Sequence, residues 1–251
     1  MAEHFDLDIA DGVATIALNR QEKLNALTVD TCADLRDALS DLPSEARVVV
    51  LTGRGLGFSS GADVEELIHA VQHFGPTELM DFTRTTGSVV RALRDCPLPV
   101  IAAVNGIAAG MGAALALASD FRVLAQSATF SFLFTKVGLT GADLGAAYLL
   151  PRLIGLARAT ELLMFGDTVD ANRALQLGLA TAVVPDDALL TEATKLAHRL
   201  TEGPAFTYST RKSLLTREQD LDLGAAIELE ATTQALLMAD ADHEQLSGPA
   251  S

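Results

Sequence analysis

The stretch Leu98-Pro-Val-Ile-Ala-Ala-Val-Asn-Gly-Ile-Ala-Ala-Gly-Met-Gly-Ala-Ala-Leu-Ala-Leu-Ala118 decides how the rest of this 251-residue chain is organised. Residues 100–104 form a short continuous apolar run, which is typical of a strand buried on both faces. Asn105 and Gly106 end the strand, and the small residues 113–118 predict a buried helix. A strand that turns through glycines into a helix leaves free N–H groups at the helix start, where a negative charge can bind. The alternative is a tightly packed strand–helix joint that binds nothing.

A second glycine-rich turn follows another apolar strand, in Val48-Val-Val-Leu-Thr-Gly-Arg-Gly-Leu-Gly-Phe-Ser-Ser-Gly-Ala-Asp63. A helix is predicted from about Ala62. Together the two stretches resemble the crotonase superfamily, also called the enoyl-CoA hydratase/isomerase family. The matching segments occur in that family's order and at its spacing, and they are Asn25-Ala-Leu27, Phe58-Ser-Ser-Gly-Ala-Asp63, Pro99-Val-Ile-Ala-Ala-Val-Asn-Gly106 and residues 166–185.

The resemblance implies an α/β fold, a crotonase-like spiral of ββα units with a C-terminal helical region. The predicted elements are mixed α/β up to residue 185 and all-helical afterwards. Residues 1–185 are therefore expected to form the spiral core that binds acyl-CoA and carries catalysis. Residues 186–251 are expected to serve oligomerisation and to cover the pocket. The resemblance also implies a homotrimer or a hexamer.

Composition restricts the class of partner and the location. The chain is 49% hydrophobic, which is enough for one substantial core. Its net charge of −15 disfavours nucleic acid and anionic membranes, because phosphate contacts need clustered Lys and Arg. The N-terminus lacks a signal-like pattern and no apolar run reaches membrane-spanning length, so a cytoplasmic location is expected. Cys32 and Cys96 are too few to suggest a disulfide framework or a metal site.

The resemblance also implies how the site works. In this family an acyl thioester carbonyl lies between two backbone N–H donors, which stabilise an enolate-like oxyanion. Carried onto this sequence, the donors are the N–H groups of Ala62 and Met111. The family usually has glycine where this chain has Met111, which keeps the donor but changes the local packing. No metal or redox cofactor is implied, since coenzyme A is part of the substrate.

The side chains that set the reaction depart from those of ordinary hydratases, which use two glutamates on water and on the alpha carbon. Alignment on Asn105-Gly106 places Ala114 at the first glutamate position, and alignment of residues 130–138 places Phe134 at the second. Neither side chain can transfer a proton. Two-glutamate hydration is therefore not expected.

Asp143 is the candidate acid/base. Counting back from Pro151, it falls where dienoyl-CoA isomerases and ring-epoxyphenylacetyl-CoA isomerases hold a general base, and where 4-chlorobenzoyl-CoA dehalogenases hold a nucleophile. The prediction is double-bond isomerisation or an atypical, one-carboxylate hydration. Another reaction of the fold (dehalogenation, thioester hydrolysis or C–C cleavage) is an alternative, as is a non-catalytic acyl-CoA binder. Asp143 could also be an N-cap of the following helix.

Further residues are predicted to contact the acyl-CoA thioester. By resemblance, Lys23, the loop around Ala26 and the turn at residues 61–64 hold the adenine and ribose, and Lys212 is a candidate phosphate contact. His69 and His73 lie in a predicted loop near the acyl pocket. The predicted substrate-binding residues are Lys23, Ala26, Gly61, Asp63, Val64, Gly110, Phe134, Tyr148 and Lys212. Structural alternatives remain open for four of them: helix packing for Tyr148, a helix-start charge for Asp63, and plain surface charge for Lys23 and Lys212.

Overall fold

A computed structural model describes residues 4–141 and 144–239. The strands within these residues are β1 (Phe5–Ala10), β2 (Val13–Leu18), β3 (Val48–Gly53), β4 (Gly57–Ser59), β5 (Val100–Val104), β6 (Ile107–Ala109), β7 (Phe121–Ala125), β8 (Thr129–Ser131), β9 (Thr168–Asp170) and β10 (Ala182–Val184). The α-helices are α1 (Val29–Ser40), α2 (Val64–His73), α3 (Pro76–Asp95), α4 (Met111–Ala118), α5 (Ala146–Ile154), α6 (Leu156–Phe165), α7 (Ala171–Gln176), α8 (Leu189–Thr201), α9 (Ala205–Arg217) and α10 (Leu223–Ala239). Short 3₁₀ turns occupy Gln21–Lys23, Leu133–Val137, Asp186–Ala188 and Glu218–Asp220.

The strands form two sheets. The large sheet has the order β1-β2-β3-β5-β7-β10, and the small sheet has the order β4-β6-β8-β9. Only the β1–β2 and β8–β9 pairs are antiparallel among the described strands; the other pairs are parallel. Parallel sheets need both faces covered, which agrees with the continuous burial of β3 and β5.

The repeating unit is a strand of the large sheet, a turn, a strand of the small sheet and then a helix. It occurs as β3-β4-α2, as β5-β6-α4 and, with a 3₁₀ turn before the helix, as β7-β8-α5. The predicted α/β spiral of ββα units is thus confirmed. Because each unit has the same order, the turns that end β4 and β6 lie side by side at one edge of the sheets.

Helix α4 lies at the centre of the fold, and all eight of its residues are buried. Its alanines and glycine allow α3, α5 and β6 to pack closely around it. Leu115 and Leu117 fill the remaining space, and burial of each such side chain contributes about 1.5–3 kcal/mol. The helix begins at Met111, two residues earlier than the sequence predicted. Its first N–H is therefore that of the predicted donor residue.

The sequence analysis missed β1 and the three-residue strands β4, β6 and β9. The partners of the three short strands lie far along the chain, as in the pairing of Gly57 with Ile107, so local patterns carry little signal for them. Strand β1 instead pairs with its neighbour β2 across the turn at Asp11 and Gly12. The predicted loop at residues 69–76 was also wrong. Helix α2 continues to His73, which places His69 and His73 one turn apart on a helix.

The C-terminal helices differ in how they pack. Helix α8 packs on the large sheet and buries Leu189, Ala193 and Ala197. Helix α10 has no buried residue among those described. Four large apolar side chains on α10 are more than half exposed: Leu223, Ile227, Leu236 and Met238. Across residues 4–141 and 144–239, no helix combines the length and the apolar character needed to cross a bilayer.

Candidate active site

The two glycine-rich turns predicted from the sequence lie against each other. Gly61 precedes α2 and Gly110 precedes α4, and both have positive φ angles, +104° and +50°. A Cβ atom on Gly61 would lie 2.9 Å from the Ala109 carbonyl oxygen and 3.4 Å from the Met111 nitrogen. Glycine accepts both this conformation and this close approach. The starts of helices from two successive ββα units therefore meet at one place.

The backbone of Ala62 presents its N–H at this place. Ala62 forms a parallel bridge with Leu27, whose N–H donates to the Gly61 carbonyl at 2.7 Å. The Asp63 N–H donates to the Leu27 carbonyl at 2.8 Å. In this pattern the flanking residues make the hydrogen bonds, so the N–H of Ala62 points away from Leu27. Within the described residues, that N–H has no acceptor.

The second N–H belongs to Met111, the first residue of α4. The first helical turn closes where the Ala114 N–H donates to the Gly110 carbonyl at 3.1 Å, which leaves the Met111 N–H outside the helical ladder. Gly110 holds the N-cap position and has no side chain that could accept. In the part of the chain that the structure describes, the Met111 N–H also has no acceptor. The helix dipole favours negative charge beside it.

The Met111 side chain packs inward rather than into the site. It is buried, and its Sδ lies 3.4 Å from the Sγ of Cys32 on α1. Burial raises the pKa of the Cys32 thiol to about 12, so the thiol stays protonated at neutral pH. Methionine at this position thus fills space between α1 and α4 without covering its own N–H. No local pattern signals this contact between residues 79 positions apart.

Ser59 and Asn25 hold the turn that precedes Ala62. The Ser59 Oγ donates to the Asn25 carbonyl at 2.8 Å and accepts from the Gly61 N–H at 3.2 Å. The Asn25 Nδ2 donates to the Gly57 carbonyl at 2.7 Å. The sequence analysis used Asn25 only as a family landmark, and neither residue was given a role. Both side chains fix the backbone that carries the first donor.

Asp63 is linked to two other predicted substrate-binding residues, Lys23 and Ala26, through a partly buried cluster of charges. Its Oδ1 accepts from the backbone N–H groups at the start of α2, and its Oδ2 accepts from Arg20 at 2.9 Å and from Lys23 at 3.4 Å. Arg20 also donates to the Ala26 carbonyl at 2.8 Å. The helix-start reading of Asp63 is therefore correct. Arg20, which the sequence analysis did not select, ties the Ala26 loop to the Ala62 turn.

Two further positions in this region stay open to solvent. Val64 is the first residue of α2 and is 64% exposed. The ammonium of Lys23 lies 2.8 Å from the exposed Glu65 carboxylate. Lys23 and the Ala26 loop thus lie beside the turn that contains Gly61, Asp63 and Val64.

The charge of Asp63 gives a pH-dependent prediction. Burial alone would raise the pKa of Asp63, but hydrogen bonds from Arg20, the Glu66 N–H and Lys23 outweigh it and lower the pKa. The charged form stabilises the fold above the unfolded-state pKa of about 3.9, and this stabilisation is lost as the pH falls through the folded-state pKa. We expect Asp63→Asn to lower the free energy of unfolding by about 1.5–3 kcal/mol at pH 7. The difference from wild type should narrow below about pH 4.

Urea unfolding at a series of pH values measures this difference. Glu65→Gln is the control, because its carboxylate is 85% exposed and a change there should stay within about 0.5 kcal/mol. A deficit in Asp63→Asn that is the same at pH 3 and at pH 7 would show that the carboxylate charge is not its cause.

Phe134 lies beside the two turns, in the 3₁₀ turn at Leu133–Val137. Its ring is buried, and its Cε1 lies 3.9 Å from where a Cβ on Gly110 would be. Ala114 is fully buried within α4. The two positions aligned with the family's glutamates therefore carry an aromatic ring at the site and a methyl group in the core.

Asp143 lies outside the described residues. Helix α5 begins at Ala146, and Gly145 holds its N-cap position with φ +66° and no side-chain cap. The sequence analysis offered Asp143 as an N-cap of the following helix. The N-cap of α5 is instead Gly145.

Tyr148 is directed toward the C-terminal region. Its hydroxyl donates to the Asp220 Oδ2 at 2.7 Å, and the Arg152 guanidinium lies 3.5 Å above its ring. Arg152 also pairs with Asp220 at 3.0 Å. The hydrogen bond to Asp220 is the main cause that raises the pKa of Tyr148. These contacts support the packing alternative for Tyr148.

The ammonium of Lys212 is occupied inside the fold. It lies 2.8 Å from the Asp120 carboxylate and donates to the carbonyls of Leu93 and Leu98 at 3.0 and 2.9 Å. An ammonium has three N–H bonds, so these contacts leave none for a phosphate. The arrangement therefore speaks against the predicted phosphate contact and gives Lys212 a structural role between α9 and the ends of α3 and α4.

The two histidines form a separate surface pair. The rings of His69 and His73 stack with centroids 4.5 Å apart on the exposed side of α2. Over the described residues, no three His, Cys, Asp or Glu side chains are grouped closely enough to hold a metal ion.

Comparisons with known proteins point to one family. The sequence profile described as enoyl-CoA hydratase/isomerase matches residues 8–250. The 1,2-epoxyphenylacetyl-CoA isomerase of Escherichia coli K12 is 36% identical over 249 residues, which cover 98% of this chain and 94% of that protein. The crotonyl-CoA hydratase of Syntrophomonas wolfei is 31% identical and covers 97% of this chain and 93% of its own.

A solved structure is similar along nearly the whole chain. The crystal structure of a Streptomyces coelicolor A3(2) protein assigned as an enoyl-CoA hydratase is 53% identical, with a TM-score of 0.93, over 97% of this chain and 89% of that chain. Profile, relatives and structure agree in family and in extent. The chain therefore belongs to the enoyl-CoA hydratase/isomerase family, the crotonase superfamily.

Proposed function

We propose that this acyl-CoA-processing enzyme stabilises a thioester enolate between the N–H groups of Ala62 and Met111, with Asp143 as the acid/base. One observation carries the proposal. Both N–H groups lie on glycine turns in contact, and within the described residues neither has an acceptor. Two free main-chain donors at adjacent helix starts are suited to a developing oxyanion.

The donors supply much of the rate enhancement in this scheme. When the alpha carbon of an acyl thioester loses a proton, negative charge moves to the carbonyl oxygen. An amide aimed at that oxygen contributes on the order of 2.7–4 kcal/mol to transition-state stabilisation. Because Ser59, Asn25 and Arg20 already fix the surrounding backbone, little reorganisation is needed when the charge develops.

The reaction we propose is double-bond isomerisation or an atypical hydration with a single carboxylate. Ala114 and Phe134 cannot transfer a proton, so the two-glutamate route lacks both of its acid/base groups. The Escherichia coli relative named as an isomerase, 36% identical along nearly the whole chain, supports an isomerisation. Asp143 would remove the alpha or gamma proton, and its carboxyl group, after exchanging that proton with water, would protonate the other carbon.

Coenzyme A enters as part of the substrate. Lys23, Ala26, Gly61 and Val64 surround the turn that carries the first donor, and we propose that they hold the adenine and ribose. A Thermobifida fusca YX protein assigned as an enoyl-CoA hydratase, 32% identical with a TM-score of 0.86 over 95% of this chain and 96% of its own, was solved in complex with acetoacetyl-CoA.

Turnover on a panel of thioesters tests the function. We expect 2-enoyl- and 3-enoyl-CoA substrates to interconvert, or the 2-enoyl substrate to take up water, as followed by liquid chromatography and mass spectrometry. Short, medium-length and aromatic acyl groups on coenzyme A and on a carrier-protein arm define the preference. If the thioesters bound saturably but none was turned over, the proposal of an enzyme would be wrong, and the protein would be a non-catalytic acyl-CoA binder.

We also propose assembly into a trimer or hexamer through the C-terminal helices. Four large apolar side chains of α10 are more than half exposed, which a solitary helix does not favour. Light scattering after size-exclusion chromatography should give three or six times the chain mass of 26.3 kDa. A clean monomer at micromolar concentration would contradict this.

A further inference from the structure

A cavity lies at the other end of α4 from the proposed thioester site. Its volume is about 430 Å³, and it is bounded by the last residues of α4, the starts of β5 and β7, and the helices α5 and α9. Helix α4 has eight residues, so its two ends are about 12 Å apart. Neither Ala62 nor Met111 lines this cavity.

Three cations and one carboxylate share the inner wall of the cavity. Lys212 and Arg94 both face Asp120, at 2.8 and 3.8 Å. The side chains of Lys212, Asp120 and Arg94 are only 7, 18 and 20% exposed. Arg122 is buried beside them. In the described part of the chain, Asp120 is the single carboxylate paired with any of these three cations.

Arg122 has carbonyl partners instead of a carboxylate. It donates to the carbonyls of Leu179, Ala116 and Ser119, the latter two at the C-terminal end of α4. Carbonyls and a helix end supply only partial negative charge. Burial lowers the pKa of Arg122 to about 10, which still leaves it charged at neutral pH.

The inner wall therefore holds two more positive than negative charges, in a chain whose net charge is −15. Buried charges in folded proteins are normally paired. Arg94 is placed to hold a further partner: one nitrogen donates to the Thr216 hydroxyl at 2.8 Å and another faces Asp120 at 3.8 Å, out of five N–H donors.

The rest of the cavity wall is largely apolar. The apolar lining residues include Pro99, Leu117, Phe121, Leu149, Leu153 and Leu215. The two other cations at the cavity already have carboxylate partners, because Arg152 pairs with Asp220 and Arg211 faces Glu230. A ligand that satisfies both walls carries one anionic head on an apolar body.

We propose that this cavity binds the free carboxylate of a straight-chain acid. The carboxylate would bind the remaining N–H groups of Arg94, in the positive field of Lys212 and Arg122, and the hydrocarbon chain would lie along the leucines of α5 and α9. The site is separate from the thioester site and needs no coenzyme A. A ligand held there would contact α3, α4, α5 and α9 together.

A tryptophan reporter tests the proposal, since the chain contains no tryptophan. Leu215→Trp places the indole at the cavity on a side chain that is 59% exposed in the parent protein. Titration with octanoate should change its fluorescence saturably. Calorimetry on the wild-type protein, without the tryptophan, should give the same octanoate affinity and one site per chain. No saturable binding in either measurement overturns the proposal.

Two arginines on α3 test whether Arg94 binds the carboxylate of the ligand. In the reporter background, Arg94→Gln should weaken octanoate binding at least tenfold. Arg91→Gln should change it less than twofold, because Arg91 is 84% exposed and lies outside the cavity. Equal effects of the two substitutions overturn the proposal.

Three comparisons define the ligand class and the place. 1-Octanol, which lacks the charge, and inorganic phosphate, which lacks the chain, should each bind at least tenfold more weakly than octanoate. Ala62→Pro should leave octanoate affinity within twofold. If either probe bound as tightly as octanoate, a site for a carboxylate on a hydrocarbon chain would be refuted. Loss of octanoate binding in Ala62→Pro would refute the proposed place, because octanoate would then bind at the thioester site.

Discussion

Ala62→Pro is expected to lower kcat by about 100- to 1,000-fold, because proline has no N–H and removes one of the two proposed oxyanion donors. The fold should tolerate the change. The bridge to Leu27 uses the Gly61 carbonyl and the Asp63 N–H, so it does not depend on the lost N–H. The measurement is kcat on the best thioester of the panel, with circular dichroism and thermal unfolding to verify folding.

Leu156→Pro is the matched control for this substitution. Leu156 is the first residue of α6 and 72% exposed, and proline is well accepted at the first position of a helix. Its rate should equal that of wild type. If folded Ala62→Pro turned over at the same rate as Leu156→Pro, the Ala62 donor would have to be removed from the scheme.

Asp143→Asn is expected to lower turnover by about 100- to 10,000-fold, the range that general acid–base groups contribute. Asparagine has nearly the same size but cannot accept a proton at neutral pH. Acyl-CoA affinity, measured by calorimetry, should change little, because only the transition state loses an interaction. Asp34→Asn on the exposed side of α1 provides the control, and its rate should stay at the wild-type value.

Heavy water separates two roles for Asp143. An acid/base that acts on carbon should introduce solvent deuterium into the acyl chain of the product. A nucleophilic aspartate should instead leave an acyl- or aryl-enzyme ester that mass spectrometry detects after rapid quenching. A fully active Asp143→Asn enzyme would rule out both roles.

The sequence was most informative where a single local pattern decides the structure. The apolar run at residues 100–104 and the glycines around Gly61 and Gly110 predicted the buried strand and the two turns that the structure brings together. The N-cap of α1 is equally local, because the Thr28 side chain accepts from the Thr31 N–H three residues on. Such features depend on neighbours in the chain, so they can be read without a structure.

The remainder depends on contacts between distant parts of the chain. Lys212 looks like a surface cation in sequence, yet Asp120, 92 positions earlier, holds it inside the fold. Arg20 has no local signal for its contact with Asp63, which lies 43 positions away. The three-residue strands have too few residues for a periodic pattern, and only pairing with a distant strand defines them.

The use of main-chain amides as donors divides the site into positions that can change during evolution and positions that cannot. The side chains at 62 and 111 do not form the proposed hydrogen bonds, so a lineage can exchange them and keep its chemistry. Gly112 has no such freedom, because a Cβ atom there would collide with the Ser59 carbonyl. Among descendants of this protein, the side chains at positions 62 and 111 should therefore vary, while the neighbouring glycines stay the same.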